Sequence, residues 1–285
     1  MVPIEALPVI DLETRHLAGA LALSREAHWN QVASDWSMML SAGKGIGIEE
    51  SQGRLIASAL TLPYGAGFGW ISMVLVTADR RNRGLATRLL DACIQQLEEH
   101  RLVPVLDATP AGANVYRPLG FSPHFGFQRW QHDAVEKISL NRADGPGVRN
   151  IGPADTAELI GIDTATFGVG RRMIIENLIG RSTNFACLSD DRTGFAVGRD
   201  GRVATQIGPI TAGSPNRAIA MLEHALQALT GAVFIDACDH QADFVARLEK
   251  LGFRPQRPYL RMAKGTAESF GVPDKMFAMS GPELG

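Results

Sequence analysis

The chain has 285 residues, 45% of them hydrophobic and 20% charged, with a formal net charge of −2. That length suits two domains of ordinary size, and the composition is that of a globular protein, not a fibrous, low-complexity or disordered one. A near-neutral charge supplies no broad positive field, so neither nucleic acid nor a membrane surface is an expected partner and any anion has to be held locally. The amino-terminal stretch carries Glu5, Asp11 and Glu13 where a secretory leader would be basic and then apolar, and no apolar run reaches membrane-spanning length; a cytoplasmic location is expected. Cys93, Cys187 and Cys238 are odd in number, scattered and without ligand spacing, which predicts no disulfide framework, no metal site and three small buried hydrophobes.

An early helical region leads to strands predicted at 45–50 and 55–62 and a longer one from Trp70 to Val76. The next segment reads as an amphipathic helix, because Leu85, Ala86, Leu89, Leu90, Cys93, Ile94 and Leu97 recur at three- and four-residue spacing. A strand follows at 103–106. Residues 141–150 are polar and rich in Gly and Pro, the signature of an interdomain linker. Beyond it the plan repeats, with strands at 185–188, 195–197 and 203–207, an amphipathic helix through Ala218, Met221, Leu222, Ala225 and Leu226, and a strand at 233–235. The echo reaches individual residues. Val105-Leu106-Asp107-Ala108 parallels Phe234-Ile235-Asp236-Ala237, and Leu119-Gly120-Phe121 parallels Leu251-Gly252-Phe253, so the chain reads as an internal duplication. The glycine-rich runs 43–47 and 65–69 join no strand to a helix and are expected to be turns, not nucleotide loops.

The most informative segment runs from Val74, Leu75 and Val76 through Arg80, Arg81, Asn82, Arg83 and Gly84 into Leu85, Ala86, Thr87 and Arg88. It passes from an apolar strand through a basic loop into a helix. Backbone N–H groups at a helix start lack intrahelical partners and carry the positive end of the dipole, so they suit a pyrophosphate, and a glycine there permits close approach. By itself the segment also reads as a solvated basic turn.

The loop resembles the Arg/Gln-x-x-Gly-x-Gly/Ala signature of GNAT acetyltransferases, with Arg81, Gly84 and Ala86 at its places. Downstream, Tyr116-Arg117-Pro118-Leu119-Gly120-Phe121 resembles the Tyr-x-x-x-Gly-Phe element of the same superfamily. The resemblance covers residues 1–140 well, while 151–285 resembles the fold with its motifs eroded, as in tandem bacterial GNAT proteins. It implies an α/β (α+β) chain of two GNAT-like domains, each a mixed, mostly antiparallel twisted sheet flanked by helices: a catalytic domain at 1–140, a linker at 141–150 and a degenerate domain at 151–285 with a structural or acceptor-site role. It implies acetyl-CoA as acyl donor, with the strand Trp70–Val76 bordering an opening for the pantetheine arm, the backbone of Val74, Leu75 and Val76 pairing with that arm, and residues Arg81 to Thr87 on the pyrophosphate. Tyr116 would protonate the leaving thiolate, although it also reads as a core tyrosine.

The chain departs from the family pattern at two points. Thr109-Pro110 stands where many relatives have an arm-binding asparagine, leaving Asn114 as the nearby candidate, and the central strand holds no carboxylate base, so amine deprotonation is expected to run through water. Residues 28–36 lie where the superfamily borders its acceptor site. Asp35 could hold an ammonium with Asn30 beside it and Trp29 or Trp36 against its carbon chain, or the tryptophans could fill the core and Asp35 cap a helix. His124 reads as a base or as a structural histidine. The implied activity is direct acetyl transfer to a primary amine of a small molecule, with a peptide or protein amine, or a non-catalytic acyl-CoA sensor, as the alternatives. The second half has Ser214-Pro215-Asn216-Arg217 at the cradle position and Leu248 at the tyrosine position, so one acetyl-CoA per chain is expected.

Overall fold

The computed structural model describes residues 4–65, 67–140, 147–182, 185–266, 268 and 270–285. Ala66 and the 141–146 part of the expected linker lie outside them. The chain divides into two compact units, Met1–Leu106 and Asp107–Gly285.

Unit 1 contains β1 (Val9–Asp11), α1 (Leu17–Glu26), α2 (Ala33–Ala42), β2 (Lys44–Glu50), β3 (Arg54–Tyr64), β4 (Phe68–Val76), α3 (Leu85–Glu99) and the start of β5 (Val103–Ala108). Its strands follow chain order, antiparallel through β4, whereas β5 runs parallel to β4. The crossover through α3 explains that reversal, since a parallel pair needs a connection long enough to return the chain. The apolar stripe of α3 is buried as its periodicity predicts. One expectation is corrected here. Gly45 and Gly47 lie inside β2 and Gly69 inside β4, not in turns. A Cβ on Gly45 would stand 2.5 Å from the Leu40 side chain, and one on Gly69 would stand 2.3 Å from that of Leu97. These glycines admit close packing.

Unit 2 contains α4 (Pro110–Tyr116), β6 (Phe121–His132), β7 (Val148–Asn150), α5 (Thr156–Phe167), α6 (Arg172–Arg181), β8 (Cys187–Ser189), β9 (Phe195–Arg199), β10 (Thr205–Thr211), α7 (Pro215–Gln227), β11 (Val233–Cys238), α8 (Ala242–Lys250), β12 (Arg254–Lys264) and β13 (Met276–Met279). Its sheet order is β12-β6-β11-β13-β10-β9-β8-β7. The compact units therefore do not divide at the expected linker. Strand β6, on the amino-terminal side of 141–150, lies between β12 and β11 and pairs antiparallel with both. Val148–Asn150, placed in the linker by composition, is itself strand β7 and pairs with β8.

The duplicated residues meet in unit 2 as reciprocal ion pairs. Asp107 on β5 receives two hydrogen bonds from Arg261 on β12, at 2.9 and 3.0 Å, and Asp236 on β11 receives two from Arg129 on β6, both at 2.7 Å. Arg129 follows Phe121 by the interval at which Arg261 follows Phe253, so each repeat's aspartate is paired by the other repeat's arginine. All four groups are buried. Their Coulomb attraction mostly offsets desolvation, so these pairs add little net stability, yet removing one partner would leave a buried charge uncompensated.

Candidate functional site

The cradle is built in unit 1 at the exit of β4. Opposite β3 the ladder slips between Ser58 and Leu60, and Met73 adopts a left-handed φ of 53°, forming a bulge. The buried Ser58 hydroxyl donates to the Met73 carbonyl at 2.9 Å and holds that bulge in place. Parallel pairing of β4 with β5 covers only Phe68↔Val103, Gly69↔Pro104 and Trp70↔Val105. Beyond Trp70 the two strands part, so Val74, Leu75 and Val76 stand on an opened edge, with Val74 and Val76 partly exposed.

After β4 the chain turns through Ala78–Arg80 and enters α3 at Gly84, which is the N-cap with a φ of 74°. The first helical bond runs from Arg88 N–H to the Gly84 carbonyl at 3.0 Å, so the N–H groups of Leu85, Ala86 and Thr87 precede any intrahelical acceptor. A Cβ built on Gly84 meets nothing within 4 Å, and Arg81, Asn82, Arg83 and Gly84 are exposed. An open helix start with a positive end and two exposed arginines fits a pyrophosphate. The other two arginines have different duties. Arg80 pairs with Glu50 and Asp79, and Arg88 donates to the Leu7 carbonyl. Arg81 folds back to the Val76 carbonyl at 3.1 Å.

Sequence reasoning missed Glu26. Its carboxylate accepts from Ala78 N–H at 2.5 Å and from the Thr77 hydroxyl at 2.8 Å, which fixes the entrance to the cradle loop. The Ala78 N–H and then the Thr77 hydroxyl hold its pKa below the ordinary carboxylate value. An acidic residue at the carboxyl end of α1 opposes the helix dipole, and that was the available signal.

Two members of the expected acceptor patch are buried and hydrogen-bonded within unit 1. Asp35 is buried and its carboxylate accepts from Val32 N–H at 2.8 Å, capping α2. Trp36 is fully buried and donates from Nε1 to the Ser24 hydroxyl at 2.9 Å. Asn30 is also buried, whereas Trp29 is partly exposed.

In unit 2, the Thr109 hydroxyl caps α4 by accepting from Gly112 N–H at 3.2 Å, and Pro110 occupies the first turn. Tyr116 ends this helix. Its ring lies 5.9 Å from that of Phe121, and burial pushes its phenol pKa up. Gly120, with a φ of 89°, makes the turn from Tyr116 into β6. Asn114 is exposed and accepts from Arg117 at 3.3 Å. A cleft of about 420 Å³ opens on the same helix, lined by Ala113, Asn114, Arg117, Tyr259 and Leu260. His124 stacks on Phe270 at 5.4 Å and its Nε2 lies 3.2 Å from the Thr266 carbonyl.

The corresponding helix start of the second half is built differently. At the start of α7, Pro215 removes one N–H, and Arg217 is paired with Asp191 at 2.8 Å. Leu248, at the tyrosine position, is fully buried. The three cysteines are buried, and desolvation raises the thiol pKa values of Cys93 and Cys187 to about 12. Among the described residues, no group of three or more His, Cys, Asp or Glu could hold a metal ion, and no helix is long and apolar enough to cross a membrane.

Comparison with known proteins bears on the family of the chain. A model described as the acetyltransferase (GNAT) family matches residues 14–121, and one described as an acetyltransferase (GNAT) domain matches 159–278. The chain is 23% identical over 250 residues to the uncharacterized N-acetyltransferase YitH of Bacillus subtilis, covering 86% of this chain and 87% of that protein. Among solved structures it resembles a putative acetyltransferase from Pyrococcus horikoshii, with a TM-score of 0.81 at 16% identity over 100% of this chain and 98% of that one. It also resembles a tandem GNAT protein from the clavulanic acid biosynthesis pathway, with a TM-score of 0.65 at 14% identity over 92% and 100% of the two chains. The chain is an N-acetyltransferase of the GNAT family, built as a tandem of two GNAT domains.

Proposed function

We propose that this chain transfers an acetyl group from acetyl-CoA directly to a primary amine of a small molecule in the cytoplasm, and that it does so with the residues of its first repeat. The observation that carries this reading is the open N-cap at Gly84 beyond the bulged end of β4, which pairs with β3 but no longer with β5. In it, the N–H groups of Leu85, Ala86 and Thr87, with Arg81, Asn82, Arg83 and Gly84, hold the pyrophosphate, and the backbone of Val74, Leu75 and Val76 holds the arm. Acetyl-CoA supplies the activated thioester. The bulge at Met73, tied by Ser58, sets the direction of the Val74 backbone groups, which can then polarise a carbonyl without reorganising.

Tyr116 holds the proton that a leaving thiolate takes up. A phenol whose pKa is raised by burial stays protonated at neutral pH, which is the state a donor needs. No carboxylate lies on β4, so the acceptor loses its proton to water. Asn114, on the helix that carries Tyr116, is proposed as a further contact to the arm. For the acceptor, the partly exposed Trp29 remains a proposed contact, whereas Asp35, Asn30 and Trp36 are held by the core. The test is a thiol-release assay with acetyl-CoA across amino acids, polyamines, amino sugars and aminoglycosides, beside a lysine-containing peptide. Turnover confined to small amines supports the proposal. Turnover confined to the peptide rejects the acceptor class, and tight cofactor binding without turnover on any amine rejects catalysis.

A further inference from the structure

The second repeat also has a strand opening, and it is filled. β10 and β11 pair in parallel over only Thr205↔Val233, Gln206↔Phe234 and Ile207↔Ile235, a run of the same length as the parallel pairing of β4 with β5. Beyond Ile207 the two strands separate, and β13 lies between them. It pairs antiparallel with β10 through Ile210↔Ala278 and Thr211↔Met276, and with β11 through Asp236↔Met279 and Ala237↔Ala278. All four β13 residues are buried.

The surroundings are shaped for this segment. At Gly208 a Cβ would stand 2.0 Å from the Met279 carbonyl oxygen, so only glycine admits the strand there. Phe277 packs edge-on to Phe244 at 5.7 Å, and the buried Gln241 amide donates to the Asp274 and Met276 carbonyls at 3.0 and 3.1 Å. The residues after β13 are clamped by two buried arginines. Arg199 pairs with Glu283 and donates to the Ser280 carbonyl, while Arg171, held by Asp163, donates to the Leu284 carbonyl at 3.0 Å and to the Gly285 oxygen at 2.5 Å.

We infer that the β10/β11 opening of the second repeat is a peptide site whose occupant is the chain's own segment Met276–Gly285, which takes the backbone positions that the first repeat offers to an acyl-CoA arm. The equivalence of the two openings rests on the cofactor reading proposed above, whereas the occupancy rests on the pairing of β13. Sealing the opening with a strand pairs both of its edges and leaves no room for a pantetheine. The second repeat is thus excluded from cofactor binding physically as well as by loss of its cradle.

The test is hydrogen exchange on the intact chain with and without saturating acetyl-CoA, with calorimetric stoichiometry on the same sample. The amides of β13 are expected to exchange as slowly as those of β10 and β11, at least about a hundredfold slower than the exposed Ser51–Gly53 turn, and not to respond to acetyl-CoA. Release of β13 by acetyl-CoA, fast exchange of β13 without it, or a second acetyl-CoA per chain would overturn the inference. Failure of acetyl-CoA to bind at all, with β13 still protected, supports the occupancy and counts against the cofactor reading. As a second arm, a chain ending at Val272 should bind the synthetic peptide Pro273–Gly285 one to one and regain its Tm. Folded truncated chain that ignores the peptide would also overturn the inference, and if that chain fails to fold, exchange on the intact protein decides.

Discussion

The openings beside β4 and beside β10 begin alike and end differently. Each follows a three-residue parallel pairing and a bulge, but the first leads to an open glycine N-cap, while the second contains a strand and leads to a proline at the first turn of α7. Both repeats keep the residues that build the sheet, such as Asp107 and Asp236, and differ where an anion would bind. Under the proposed function, the demands of packing and of cofactor binding fall on separate residues, which would let one site be lost while its fold is retained.

The largest effect is expected of Gly84→Glu. The left-handed φ and the open space at Gly84 mean that a glutamate is strained and carries negative charge into the cradle. Acetyl-CoA binding by calorimetry should disappear from a folded variant, and unchanged affinity would put the pyrophosphate elsewhere. Next in size is Tyr116→Phe, which should lower kcat by ~10² to 10⁴-fold with cofactor affinity nearly unchanged. A drop below about threefold would assign Tyr116 to packing against Phe121 and Gly112. The active form of this acid is the protonated one, and its pKa is raised, so activity is retained on the alkaline side until pH passes the ordinary phenol value of about 10. An alkaline limb of kcat well below that value, still present in the Phe variant, belongs to another group.

Losses of similar size are expected at the two buried ion pairs. Arg129→Ala and Arg261→Ala each leave a buried aspartate without its arginine, Asp236 keeping only the hydrogen bond from the Gln206 amide at 3.1 Å, and should cost roughly 3 to 5 kcal/mol of stability by denaturant titration. A large loss at one and none at the other would show that the repeats do not share this support. The smallest effect is expected at Arg217→Ala. That arginine is paired with Asp191 at the filled repeat, so acetyl-CoA affinity should stay within about twofold.

Much of the first repeat was legible in the sequence because its signals are local. The stripe of α3 and the arginine–glycine loop occupy one contiguous stretch, and each states its own geometry. The insertion of β6 between β12 and β11, and of β13 between β10 and β11, could not be read there, since strand partners are chosen by tertiary packing. Asp107 and Asp236 were visible as an echo, but their arginines lie over a hundred residues away in each case. Gly45 and Gly47 were misread as turns because glycine marks both turns and close approaches, and only the neighbouring Leu12, Leu40 and Leu55 side chains tell the two apart. At Asp35 the sequence left a cap and an ammonium site open, and the hydrogen bond from Val32 shows the cap.

Under the proposed function, two copies of one fold provide a single cofactor site. Calorimetric titration of the intact chain with acetyl-CoA, beside the double variant Arg81→Ala with Gly84→Glu, measures this. One acetyl-CoA per chain is expected, and none in the double variant; two per chain, or tight binding that survives both substitutions, would refute a single site.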